Sequence, residues 1–145
     1  MPTTLGPRFP PNFSGPPPRM SREDFEIWRR WWPSVERGAL ALYFDVGLGL
    51  PDQLPETDDS KQLAGWIRNT QKRADVIIER AEEVWLVELR FNAQSSAIGR
   101  LLTYQQLLMD DDPFHKLTGT YLVTNKFDSE VRRIAEAFGI IYTVA

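Results

Sequence analysis

The stretch RADVIIERAEEVWLVELRF, Arg73 to Phe91, decides the fold. Apolar and polar residues alternate with period two through ADVIIER and again through VWLVELRF, the pattern of two strands that each turn one face to a core. The short polar segment Arg80 to Glu83 joins them as an antiparallel hairpin. If Glu79 lies opposite Val84, then Asp75 falls opposite Glu88. Alternation puts Asp75, Ile77 and Glu79 on one face, with Val84, Leu86, Glu88 and Arg90 on the matching face of the next strand. Like charges directly across a ladder are destabilising, so this pair needs compensation. A divalent cation between the carboxylates would supply it, as would a neighbouring basic side chain. Magnesium suits the first case, because one or two carboxylates with water and substrate phosphates complete its shell. The plain alternative is a water-exposed pair at a sheet edge.

Outward from the hairpin, further elements can be read. Ser21 followed by Asp24 predicts a helix N-terminus, and Phe25, Trp28, Trp32 and Val35 continue it at spacings of three and four, giving a helix over about Arg22 to Glu36. Pro33 is expected to kink it, with Gly38 as the stop. ALALYFDVGLG (Ala39 to Gly49) reads as a strand, Leu50 to Ser60 as a loop, and residues 61 to 72 are ambiguous. SSAIGRLLTYQQLLMD is an amphipathic helix capped by Ser95 or Ser96. GTYLVTN is a strand, DSEVRRIAEAFG a helix capped by Asp128 and ended by Gly139, and IIYTVA a final strand. The order is αβββαβαβ: a single α/β domain over residues 21–145, with a mixed sheet flanked by helices.

Ahead of it, residues 1–20 hold seven of the eleven prolines, two arginines and no acid. Such a segment suits neither helix nor sheet interior. It reads as an extended arm, disordered in an isolated monomer unless a partner subunit holds it. Pro10, Pro11, Phe13, Pro16 and Pro17 are the candidate partner contacts, together with Trp31, placed on a different side of its helix from the core residues Trp28 and Trp32. Other subunits of a larger assembly, a homo-oligomer among them, are the expected partners.

Composition narrows the chemistry. There is no cysteine, and His115 is the one histidine, so thiolate and His-clustered metal sites are excluded and any metal would be oxygen-ligated. His115 beside Phe114 reads as structural. A net charge of -3 gives no global pull toward nucleic acid. Arg8, Arg19, Arg29, Arg30 and Arg37 could touch phosphate, but Glu23, Asp24, Glu26 and Glu36 interleave with them, so a mixed surface is expected. Asp110, Asp111 and Asp112 read as a solvated helix end, since successive acids do not converge on a point. No apolar run reaches membrane-span length and no signal-peptide pattern opens the chain, so a soluble, intracellular protein without membrane association is expected.

RADVIIE, VWLVELR and AIGRLLTY together resemble the core of the PD-(D/E)XK nuclease superfamily, whose αβββαβ core matches this order. The resemblance covers residues 73 to 104 closely and the flanks by element order. It implies a restriction-endonuclease-like fold in which Asp75 and Glu88 bind a magnesium ion and position a scissile phosphate. The family's Lys position holds Arg90, and a helix position where the family often has Gln holds Arg100. A guanidinium stays protonated and prefers forked contact with carboxylates, so Arg90 replaces a catalytic ammonium poorly. Two guanidiniums could neutralise the two acids without metal. RADV, VELR and GRLLTY also look similar to segments of small phage-encoded proteins. The implied role is a non-catalytic assembly component without cofactor, such as a virion neck or tail adaptor (head-tail connector) located in the virion, or in the cytoplasm if the chain is not phage-encoded. A magnesium-dependent DNA nuclease using Asp75, Glu88, Arg90 and Arg100 is the rival, and a DNA-binding module without chemistry is a third reading.

Overall fold

The computed structural model describes residues 3–51 and 53–145; Met1 and Pro2 of the arm and Asp52 of the loop lie outside the described residues. Ser21 opens the first helix as its spacing predicts: the Ser21 Oγ accepts from the Asp24 N–H at 3.1 Å, and α1 runs Arg22–Val35, through Pro33. After Gly38, at φ 88°, the chain enters β1 (Ala39–Leu48). The ambiguous segment resolves into α2 (Ser60–Thr70), capped by Asp59, with β2 (Lys72–Arg80) starting directly behind it. Then follow β3 (Glu83–Arg90), α3 (Ser96–Asp111), β4 (Leu117–Thr124), α4 (Ser129–Ala137) and β5 (Ile141–Val144). The Asp128 carboxylate caps α4 by accepting from the Glu130 and Val131 N–H groups, whereas Ser95 makes no side-chain cap bond at α3. The observed order is therefore αβαββαβαβ, one helix more than expected. α2 buries none of its residues, which is why periodicity did not reveal it.

The five strands form one mixed sheet in the order β1-β2-β3-β4-β5. β1, β2 and β3 pair antiparallel, while β4 and β5 join in parallel, as their helical crossovers require. The hairpin register is the expected one, with Glu79 facing Val84 and Val76 facing Val87. One face of the sheet carries a core that includes Val46, Leu86, Leu101 and Leu122 beneath α3 and α4. The other carries Leu42, Phe44, Val76, Val87 and Val123 beneath α1.

Facing changes once along β1 and once along β2. Tyr43 and Val46 pack on the α3 side although Phe44 packs on the α1 side, and Ala74 and Val76 lie on opposite sides although they are two apart. The dislocation centres on Asp45 and Asp75. Asp45 adopts φ 51°, a left-handed conformation that Asp tolerates better than most residues. Arg73 holds the irregularity: its Nε donates to Asp45 Oδ1 at 2.9 Å and its Nη2 to the Asp45 carbonyl at 2.9 Å. β1 stays paired with β2 as far as Leu48↔Lys72, whereas the β2–β3 ladder stops at Val76↔Val87, so Asp75 stands at the fork.

The arm differs from expectation. Thr4 and Gly47 exchange backbone hydrogen bonds of 2.8 and 3.0 Å, and Phe9 and Leu42 exchange two of 2.9 Å, so residues 4–9 line the outer edge of β1 in their own chain. Phe9 and Phe13 pack on Phe44 with centroids 5.3 and 5.9 Å away, and the Trp32 indole N–H donates to the Pro11 carbonyl at 2.9 Å. An unpaired strand edge and an aromatic face within the same domain offer this segment bonds and burial. Pro17 is buried, Pro11 and Phe13 are half-buried, and Pro10 and Pro16 are exposed. Trp31 is corrected as well. It is 3 % exposed, packed against Trp85 and Tyr121, because the sheet beneath α1 is wide enough to require three indoles as cover.

Candidate functional site

The fork between β2 and β3 gathers the acids. Val76↔Val87 is the last rung of their ladder, and at the next position the Asp75 side chain takes over from the backbone: its Oδ2 accepts from the Leu89 N–H at 2.8 Å. Asp75 and Glu88 lie close enough for each to perturb the other's titration. Glu88 is 3 % exposed; Asp75 is half-buried. Arg100 from α3 brings its Nη1 to 3.7 Å of Glu88 Oε2, and Arg90 brings its Nη2 to 4.0 Å of the same oxygen. All four residues singled out from sequence therefore converge, and the basic side chains both lie on the Glu88 end.

Burial and charge set the protonation. Burial pushes the Asp75 carboxyl well above the usual carboxylate range and the Glu88 charge pushes it further, against the opposing pull of the Leu89 N–H and Arg90. Burial also raises Glu88, but the hydrogen bond from Asp75 and the charges of Arg90 and Arg100 counter it. Both shifts favour the protonated form, more strongly at Asp75, while two guanidiniums face Glu88. Tyr104, one turn along α3 from Arg100, has its phenol raised by burial and then by Glu88.

Sequence reasoning missed two members of this neighbourhood. Asp24, read as a first-turn helix acid, points from α1 toward the fork, and burial and then Asp75 raise its carboxyl. Asp45 joins Asp24 and Asp75 around a small cleft of about 30 Å³, whose other wall is Pro18, Arg19 and Met20 of the arm. The signal for Asp45 was the break in alternation at YFDVG. For Asp24 there was none, since its approach depends on how α1 crosses the sheet. The remaining sequence candidates, Pro10, Pro11, Phe13, Pro16, Pro17 and Trp31, belong to the arm and to the α1 face rather than to the acid pair.

Whether the acids suit a metal follows from their partners. Among the described residues no group of three or more His, Cys, Asp or Glu side chains is placed to hold an ion. One Asp75 oxygen is engaged by a backbone N–H, and Glu88 faces two guanidiniums. These contacts would compete with a cation for the same oxygens. His115 stands apart, with its side chain 87% exposed and its Nδ1 3.5 Å from Asp112. Asp110 to Asp112 close α3, where Asp110 accepts from Gln106 and Asp111 from the Thr3 N–H.

Comparison with protein-family models, with curated proteins and with solved structures finds no match to this chain. Among the described residues no helix is long and apolar enough to cross a membrane.

Proposed function

We propose that this chain is a non-catalytic protein of restriction-endonuclease-like architecture that serves as an assembly component, with a virion neck or tail adaptor as its concrete role. The observation that carries this reading is the acid pair compensated from within: Asp75 accepts from the Leu89 N–H at 2.8 Å, and Arg90 and Arg100 stand 4.0 and 3.7 Å from Glu88. A catalytic site of this residue pattern would need both carboxylates ionised and an ammonium able to tune an attacking water, and a guanidinium cannot give up its proton to do so. The arm, satisfied by its own sheet, lends assembly no support. Support comes instead from exposed apolar side chains around α4 and β5: Phe127 54%, Phe138 59% and Ile141 48% exposed, a grouping that suits contact with other subunits.

The test has two arms. Purified protein incubated with supercoiled and linear DNA in magnesium or manganese should leave both intact, and sedimentation should show self-association that Phe138→Glu with Ile141→Glu abolishes. Metal-dependent nicking that disappears in Glu88→Ala would replace this reading with the nuclease. A protein that stays monomeric and binds duplex DNA would replace it with a DNA-binding module.

A further inference from the structure

Beside the acid cleft lies a larger cavity of about 520 Å³, between the arm, β1 and α2. That volume is in the range of small-molecule sites. Its walls are largely apolar: Pro7 and Phe9 from the arm, Phe44 from β1, and Leu50 and Ile67 from the α2 side. Its charges are uneven. Arg19, Arg68, Arg73 and Asp45 all line it. Arg73 is used up, since it holds Asp45 through Oδ1 and the carbonyl and also donates to the Arg68 carbonyl at 3.0 Å. Asp45 is therefore neutralised before Arg19 reaches it at 3.4 Å. Arg68 lines the same cavity with its guanidinium free of any acidic partner among the described residues. An apolar chamber with two surplus positive charges is complementary to one kind of occupant, a molecule with an apolar body and an anionic end.

We propose that this cavity binds a small amphipathic anion, its alkyl or aryl body against Phe9, Phe44 and Ile67 and its carboxylate or phosphate at Arg68 and Arg19. The site is independent of the acid pair's chemistry and stands whether or not the protein is catalytic. Because the arm forms one wall, occupancy joins arm to domain, and bound ligand should stabilise both together.

Calorimetric titration of the full chain with decanoate, decyl phosphate and decanol tests it. One saturable site is expected for at least one of the two anions, at least tenfold tighter than for decanol. Arg68→Ala should erase about tenfold of that preference, the equivalent of one charge-assisted hydrogen bond, and leave decanol unchanged. Ile67→Trp should fill the chamber and abolish binding of all three. Ala64→Phe, one helical turn before Ile67 in the same cavity wall, serves as a second filling variant should the first melt below the wild type. No saturable binding of either anion, equal binding of anion and alcohol, or binding that persists in a folded filling variant would overturn the proposal.

Discussion

Replacing Asp75 by Asn should leave the protein as stable at acid pH and make it more stable at neutral and alkaline pH. Burial and then the Glu88 charge hold the Asp75 carboxyl well above the usual carboxylate range. A carboxyl whose folded pKa lies above its unfolded value favours the folded state fully at pH below the unfolded value, near 4. That contribution is lost as pH rises through the folded value, at about 1.4 kcal/mol per pH unit. An Asn amide cannot ionise. It can still accept from the Leu89 N–H through its oxygen, where Asp75 now does so at 2.8 Å, and donate to Glu88 through its nitrogen. The stability gap between the Asp75→Asn variant and the wild-type protein should therefore widen with pH. Each kcal/mol corresponds to roughly 2–4 °C in Tm for a chain of this size. Asp75→Ala is the necessary contrast. It removes the acceptor and leaves a buried N–H unsatisfied, at a cost of about 1–3 kcal/mol. Thermal melts of all three proteins between pH 4 and pH 9 read both effects. A gap that narrows with rising pH, or an Asn variant as weak as the Ala variant, would refute the raised Asp75 carboxyl.

Three further outcomes are expected. Arg90→Lys with Arg100→Gln should raise manganese affinity in calorimetry while lowering Tm, because the carboxylates lose charge compensation; the loss is on the order of 3 kcal/mol if the site behaves as fully buried and smaller where water reaches the guanidiniums. Trp31→Ala should destabilise by about 3–5 kcal/mol in urea titration, as for a core aromatic, whereas an exposed partner contact would change stability little. Deleting residues 1–20 should lower Tm and raise proteolytic sensitivity at β1, since four backbone bonds and the cover over Phe44 are lost; an unchanged melt would show that the arm contributes nothing to its own domain.

The hairpin was legible because both strands have one face on each core and a short turn, so that a single register brings the apolar sets to the same sides. Ser21 and Asp128 were legible as caps because their chemistry is local. What could not be read has non-local causes. α2 lies on the surface without a buried stripe, so nothing in its sequence marks it as helical except the Asp59 cap. Trp31 looked like an outer residue because a narrow helix stripe was assumed, while the sheet below α1 buries a wider one. The arm's proline content excludes regular structure but says nothing about what it lies upon. At the acid site, residue types and pairing came from sequence, whereas the approach of Asp24 and the placement of both guanidiniums on the Glu88 side came from tertiary packing.

The two borders of the sheet have unequal fates. Along β1 the Thr4 and Phe9 bridges take the outward hydrogen-bonding groups of Gly47 and Leu42, while β5, the opposite border, carries Ile141, Tyr142, Thr143 and Val144 without a charge or proline to deter pairing. A molecule with two vacant borders could add copies at both ends without limit and grow into a fibre. One with a single vacant border forms at most a closed pair, because each joining consumes the valence of both members. With the proline-rich segment in place, the sheet has one border open to strand addition rather than two.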